Sequence, residues 1–558
     1  MPKISVGGKI ISLNKNDFLT QGGEGAVYAK GKTAFKIYTD KSKMIPAGKI
    51  RELATLTDPK IIKPEEVIFS GKINKPIGYT MQYVTQTEPL CRVFTKSFKD
   101  RNSITPEMSF DLVKNMHNTI EHIHKKGILI VDLNEMNFLT CKKFKDVYFI
   151  DVDSYQTQTH PATALMESVR DRHMNLGTFT TGTDWFSFAV VSFQVFIGIH
   201  PYKGKHSSLK GFDARMSANV SVFNKDVNVP KSCLSLKVIP SQWRDWYKAV
   251  FEKGLRECPP REGEVVCEVV TIVQAVDGSN NFVIKELFEC DADIINYEPN
   301  FGNDCVVCKG GIRMNNGAFV DHPHKISIGY YKSTPMAARI EDDHIRIFNI
   351  KMRQDATESM SYNIKADELM STGGRIYAKQ NDKILEVEFI GPEHKPIVTA
   401  KIVGTVMEKA TQLFSGVAIQ SVLESYVASV FPEAGKCLQH TLTELEGYRV
   451  INARYDGGVL IIIGVKKGKY DRFVYGSDMS KPRIAKDIQS YDVNFRTLDN
   501  GICISIIDTE DVEVFSAKNV HKVKVVQDNV IHGGMKIFND GNTVMFADGK
   551  KMFSMRMK

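Results

Sequence analysis

The sequence predicts an α+β domain followed by an all-β domain, and three observations carry that reading. At 558 residues the chain exceeds what one hydrophobic core usually holds. Its periodicity changes near residue 265, from strands mixed with long helical patterns to short alternating strands joined by tight turns. In the second part, glycines recur at an almost fixed spacing.

In the first half, Phe110, Val113, Met116, Ile120 and Ile123 recur every three or four residues and mark one buried helical face. Pro106 and Glu107 suit the first turn of that helix and Gly127 its end. Trp185 to Ile199 is apolar but broken by Ser187, Ser192 and Gln194, and it is shorter than the roughly 20 residues a membrane span needs. It is read as a buried helix. A further helix runs from about Trp243 to Leu255, burying Trp246, Val250 and Phe251.

In the second half, Val459–Val465 turns through Lys466-Lys467-Gly468 into Lys469–Tyr475. Thr543–Ala547 turns through Asp548-Gly549 into Lys550–Met555. Gly374, Gly416, Gly458, Gly501 and Gly541 stand 42, 42, 43 and 40 residues apart, and Asn316-Gly317 is an earlier candidate after an insertion. This spacing predicts a β-propeller of five or six visible units over residues 311–558, with 266–310 a connector or a divergent first blade. A β-sandwich with evenly spaced hairpins is the competing architecture.

Composition narrows the function. The net charge of +8 is modest for 62.7 kDa and the lysines are scattered, which argues against a nucleic-acid stripe. Neither a signal peptide nor a spanning segment is expected, and ten cysteines in so long a chain suggest a reducing cytoplasm. Cys305-Val-Val-Cys308, near Cys290, has zinc-knuckle spacing but lacks a second pair, and His322 and His324 complete it poorly.

The chemistry gathers in the first half. Gly22, Gly23 and Gly25 precede a strand, where backbone amides approach phosphate oxygens closely. Lys36 lies among apolar neighbours on the next strand and needs a negative partner, for which Glu52 in the run Lys49 to Leu56 is the candidate. Asp132 follows an apolar strand, Asn137 comes five residues later, and Asp151 ends the strand after that. An acid, an amide and a second acid in such places suit a magnesium ion and a hydroxyl nucleophile.

Together these residues resemble a protein-kinase domain over residues 1–265, with an N-lobe to about 84 and a C-lobe over 85–265. Leu19 to Tyr28 resembles the glycine-rich loop, with Val27 on the strand that leaves it, and Met81-Gln82-Tyr83-Val84 resembles the segment that takes adenine. The resemblance implies that Gly22, Gly23, Gly25, Val27, Lys36, Gln82 and Val84 hold ATP, and that Glu52 orients Lys36. It also implies that Asn137 and Asp151 bind Mg2+ and that Asp132 positions the hydroxyl. Asp184 matches the buried aspartate that opens the central helix, and Arg261 the late arginine, with Glu167 its candidate partner.

The departures are specific. Ile130-Val131 replace the usual His-Arg, Asn134 stands for the usual lysine, and Asp-Phe-Gly reads Asp151-Val152-Asp153. Asp153 is expected to bond neighbouring backbone amides, with a metal contact as the alternative. Asp-x-Asp-Ser, with Phe193-Gln194 in the later helix, is similar to an atypical group of prokaryotic and phage kinase-like proteins. The resulting expectation is an ATP-dependent Ser/Thr protein kinase whose propeller binds a protein substrate or regulator. A nucleotide-binding pseudokinase scaffold or structural protein, and a small-molecule kinase, are the alternatives.

Overall fold

The computed structural model describes residues 3–558 except 23, 41–42, 71–74, 175–177, 261–278, 300–303, 315–318, 322–325, 333, 351–359, 393–395 and 423–424. The chain is mostly β, built from many small antiparallel sheets, with its helices gathered before residue 254.

The first sheet has seven strands, β1 (Lys3–Val6), β2 (Lys9–Ser12), β3 (Phe18–Gln21), β4 (Gly25–Lys30), β5 (Thr33–Tyr38), β6 (Val67–Ser70) and β7 (Pro76–Gln82). Their spatial order is β2-β1-β6-β7-β5-β4-β3. Helix α1 (Ala47–Leu53) buries Ile50 and Leu53. A short sheet of β8 (Thr87–Pro89), β9 (Phe138–Cys141) and β10 (Val147–Phe149) leads into the helical body.

That body contains α2 (Lys96–Arg101), α3 (Pro106–Lys125), α4 (Thr181–Ile197), α5 (Phe212–Ser217) and α6 (Ser241–Lys253). The apolar face expected from Phe110 to Ile123 is buried on α3, with Thr105 as N-cap and Pro106 in the first turn. Helix α4 is buried along nearly its whole length, as an apolar helix without a polar face must be. It ends at Gly198, which takes the left-handed C-cap conformation at φ +84°.

From Ile294 onward the strands form seven four-stranded antiparallel sheets in chain order. Each neighbouring pair shares an apolar cluster. Ile312 of the first sheet packs with Ile328 of the second, Ile347 of the second with Ile376 of the third, and so on around. The series closes on itself, because Phe538 and Met545 of the seventh sheet pack with Ile294 and Val306 of the first. Strand pairing also closes it: Phe282–Glu289 hydrogen-bonds along Lys551–Met557, so a strand from before the ring completes the last sheet. Among the described residues the ring therefore has seven sheets where the glycine spacing showed five or six.

The spaced glycines mark one structural position. Gly374, Gly416, Gly458, Gly501 and Gly541 all lie in the turn between the first and second strands of the third to seventh sheets, each at positive φ. In the second sheet Lys332 takes that left-handed position at φ +55°, so no glycine signals it. Asn316-Gly317 falls outside the described residues.

The ring and the helical body share a core. Ile451, Ile463, Val465, Tyr470, Ile488 and Tyr491 of the fifth sheet and the segment after it join the apolar cluster of α3, α4 and α6. Polar contacts reinforce the junction. Ser97 bonds Asp492 at 2.6 Å, Lys203 donates to the Ile488 carbonyl at 2.8 Å, and Tyr491 donates to Gln194 at 3.2 Å. No described helix is long and apolar enough to cross a membrane.

Candidate functional site

The hairpin of β4 and β5 sets the first wall. Gly22 N–H donates to the Gly25 carbonyl at 3.0 Å, closing a tight turn. Gly25 lies so near the Ile37 carbonyl that a Cβ would collide with backbone. Val27 stands opposite Lys36 in the register, so both belong to the same cross-strand pair. Gly23 lies outside the described residues. Gln82 ends β7 opposite Thr33 and is exposed, and half-buried Val84 follows it.

Lys36 is buried, and the structure gives it different partners from the one expected. Its Nζ lies 2.7 Å from Asp153 Oδ2, 3.1 Å from Asp151 Oδ1 and 3.4 Å from Glu24 Oε2. Tyr38 OH also donates to Asp153 Oδ2 at 2.6 Å. Tyr38 and Lys36 share a face of β5 because side chains alternate along a strand. Asp153 thus holds the lysine instead of capping neighbouring amides. Glu52 is engaged elsewhere: it accepts from the Thr159 hydroxyl and amide and lies 3.5 Å from His160. A seven-residue α1 carries Glu52 towards the 157–160 segment, and its carboxylate is held low, to about 2, by hydrogen bonds from Thr157 and Thr159.

The two acids differ in environment. Partial burial pushes Asp151 up to about 6, with Lys36 opposing and the Asp153 carboxylate adding to the rise. Despite burial, Asp153 is held below the usual range by Lys36 and by the bonds from Lys36 and Tyr38. Asp153 Oδ1 is buried without a hydrogen-bond partner, and the Asp151 side chain is 40% exposed. Both carboxylates carry hard oxygen donors of the kind a divalent cation takes, and in the described structure they are turned to Lys36. Among the described residues, no cluster of three or more His, Cys, Asp or Glu is arranged to hold a metal.

The 129–137 loop brings in the remaining groups. Asp184, fully buried in the first turn of α4, accepts from Ile130 N and Val131 N, each at 2.8 Å, and meets His124 Nε2 at 2.9 Å. These bonds hold Val131 at φ +64°, a left-handed conformation that a β-branched residue adopts only under constraint. Asp132 follows at once, and its Oδ1 accepts from Met166 N at 2.7 Å. Burial raises the Asp132 carboxyl, and hydrogen bonds offset part of that rise.

Asn137 Nδ2 bonds the Asp132 carbonyl at 2.9 Å, and the Asn137 carbonyl accepts from Ile150 N at 3.0 Å. The loop is thereby tied to the segment that carries Asp151. Leu129 and Gln156 exchange two backbone bonds, which fasten the same pair of segments at a second point. The buried Tyr155 hydroxyl is pushed well up by burial and then by the charges of Asp184, Asp151, Asp132 and Asp153. Asn134 turns inward, bonding Met136 N through its oxygen at 2.8 Å.

Contacts from the ring reach this loop, and no local sequence signal announces them. Tyr470 OH donates to Glu135 Oε1 at 2.9 Å, and Arg449 Nη1 donates to the Met136 carbonyl at 2.9 Å. The turn at Gly468, at φ +70°, packs on Met166 and Ser168 so closely that no Cβ fits. Met166 is the residue whose amide bonds Asp132.

Several expected residues stand in other roles. Glu167 bonds Arg170 at 3.0 Å, and Arg261 lies outside the described residues. The buried acid–arginine pair of this region joins Asp171 to Arg256, with two bonds from one guanidinium. Cys305 and Cys308 are buried, free thiols, each pushed up to about 12 by burial, and they line strand faces. His322 and His324 lie outside the described residues.

No protein-family model and no curated protein matches the chain. Solved structures do match, among them Kluyveromyces lactis Hsv2 with its complete loop 6CD, at 13% identity over 48% of this chain and 98% of that one. The TM-score is 0.30, and at that level the likeness carries no argument.

Proposed function

We propose that the chain is an ATP-dependent phosphotransferase in which a two-lobed kinase-like domain is joined to a seven-bladed β-propeller, and that it acts on a Ser or Thr hydroxyl of a protein. The observation that carries the reading is the convergence of Lys36, Asp151 and Asp153 within 3.1 Å, beside a loop that presents Asp132 and Asn137. In this reading Gly22 and Gly25 let the β3–β4 turn approach the phosphates, and Lys36 moves from its carboxylates to a phosphate oxygen. Asp153 keeps the lysine in place, the part expected of Glu52. Asn137 and Asp151 hold magnesium, which when bound neutralises charge on the phosphates. Asp132 accepts a hydrogen bond from the incoming hydroxyl and orients it. The ring presents the protein partner.

A nucleotide-binding scaffold is the second reading, and Asn134 favours it. Its side chain is buried in bonds to its own loop, so no cation stands where the usual lysine meets the transferring phosphate. One experiment separates the two. Thermal unfolding with ATP and magnesium should rise by several degrees, because a hundredfold excess over Kd stabilises the folded state by about 2.7 kcal/mol. Asp132→Asn should keep that rise and lose transfer of labelled phosphate, whereas Asp151→Asn should lose the magnesium-dependent part of both. A rise without transfer to the protein itself or to generic protein substrates assigns the scaffold. No rise removes the nucleotide reading altogether.

A further inference from the structure

A cavity of about 550 Å³ runs along the centre of the ring, lined by the first strand of every sheet. Helix α2 of the helical body forms part of its wall. The volume lies within the roughly 300–1,000 Å³ typical of small-molecule sites. Its described lining carries six basic side chains (Arg92, Lys96, Arg101, Arg454, Arg496, Lys536) against four acidic ones (Asp100, Glu298, Asp456, Asp492).

The acids already have partners. Asp100 pairs with Lys536 at 2.8 Å, and Asp492 accepts from the Ser97 hydroxyl and amide. Asp456 accepts from Thr497 N at 2.7 Å and lies 3.8 Å from Arg496. Glu298 accepts from Asn296 at 2.8 Å. Arg92 is paired with Glu88 at 2.6 Å, its guanidinium lying between the Phe98 and Phe414 rings.

Two guanidiniums are left over. Arg101, on α2, makes one bond, from Nε to the Ser97 carbonyl at 3.3 Å, and no ion pair among the described residues. The Arg454 side chain, on the ring, lies over the Phe495 ring at 5.8 Å, makes neither a hydrogen bond nor an ion pair among the described residues, and has its Nε buried without a hydrogen-bond partner there. Asp456 and Glu298 act on it only from beyond ion-pair distance. Burial, and then the charges of Arg92 and Arg454, hold Arg101 down at about 10, against Asp492 and Glu88. Two like charges desolvated in one cavity are costly unless an anion joins them, and a guanidinium fork matches phosphate and carboxylate oxygens alike.

We propose that this channel binds a small multivalent oxyanion that bridges Arg101 of α2 to Arg454 of the ring. Its occupant ties the helical body to the ring, and so links the junction to whatever supplies that anion. The site is separate from the Lys36 cleft and does not rest on the phosphotransferase reading.

The test is thermal unfolding of the full chain, without magnesium, against tripolyphosphate and against citrate, alongside Arg454→Met and Arg101→Met. At least one anion should raise the wild-type Tm by several degrees, and each substitution should weaken that anion's apparent affinity at least tenfold. Tripolyphosphate acting alone assigns a phosphate ligand, and citrate acting alone a carboxylate one. With no anion present, Arg454→Met should unfold little lower than wild type, because it removes a buried charge that has no acidic partner and keeps an apolar side chain over Phe495. The proposal is overturned if neither anion stabilises the wild type, if the rise survives both substitutions, or if Arg454→Met is strongly destabilised in the absence of anion.

Discussion

The hydroxyl of Tyr470 offers the sharpest perturbation at the junction, because Tyr470→Phe removes one oxygen and keeps everything else. The ring stays stacked on Tyr491 at 3.9 Å between centroids, and Lys203 Nζ stays 5.5 Å above it. What is lost is the 2.9 Å bond to Glu135, which is 1% exposed and whose Oε2 already has no partner. Leaving a buried acceptor without its donor costs about 1–3 kcal/mol. At roughly 2–4 °C per kcal/mol, that lowers Tm by several degrees. On the proposed function, transfer should fall in kcat while nucleotide affinity holds, because Glu135 lies between Asp132 and Asn137 in the loop. A double-mutant cycle with Glu135→Gln should show coupling above about 0.5 kcal/mol. The sign of the pH dependence follows from burial, which raises the Glu135 carboxyl with Asp132 adding and Tyr470 opposing. The unfolded chain releases that proton near about pH 4.3 and the folded chain only later, so stability falls as pH rises between the two. Glu135→Gln should remove that decline. An unchanged Tm for Tyr470→Phe, with zero coupling, would refute the idea that the ring holds the loop through this bond.

Other expectations follow from the same contacts. Asp171 is held low, despite burial, by the Arg256 bonds and charge; its stabilising contribution is full above the unfolded value of about 3.9 and is lost as pH falls through the folded one. Asp171→Asn should therefore cost about 3–5 kcal/mol near neutral pH and progressively less in acid, read from urea unfolding at several pH values. Thr180 caps α4 by accepting from Thr183 N at 3.3 Å; Thr180→Ala should cost about 1 kcal/mol by the same measurement, and Thr180→Ser should restore most of it. On the proposed function, any loss of transfer in Thr180→Ala should then track the fraction unfolded, because Val131, where the kinase resemblance expects an arginine, offers no cation to a phosphate on this segment.

What was legible in the sequence was local. The face of α3 could be read from five apolar residues, and the turns of five sheets from glycines that the chain needs at positive φ. The glycine spacing passed over the second sheet because Lys332 adopts that conformation without being glycine, and the strand that completes the seventh sheet, Phe282–Glu289, comes before the first. At the site, Lys36 lies within β5, and Asp132, Asn137 and Asp151 lie in short loops beside strands, which is as far as local pattern reaches. The partner of Lys36 lies beyond it. Choosing Asp153 over Glu52 depends on where a short helix points and on Tyr38 donating from the same strand face, which is settled only by packing. His124 is a similar case: its bond to Asp184 joins two helices 60 residues apart, and nothing in the local pattern of α3 distinguishes it from a surface histidine.

The junction changes how the two halves should be understood. A tethered reader domain would meet its partner domain through a modest polar surface. Here six apolar side chains of the ring enter the core of the helical body, and buried Lys203 is satisfied by ring oxygens, the Ile488 carbonyl and Asp487. Separating the halves would expose that apolar area and leave Lys203, Glu135 and Tyr491 without partners at once. Each such loss is of the size that distinguishes a folded domain from a marginal one. The bonds that close the junction also end on the 129–137 loop and, through Gly468, on the segment that bonds Asp132. A ligand that shifts the ring therefore moves groups in direct contact with the loop, with no long relay between them. Regulation of this site from the ring needs only a displacement at the fifth sheet, where Arg449, Gly468 and Tyr470 all lie.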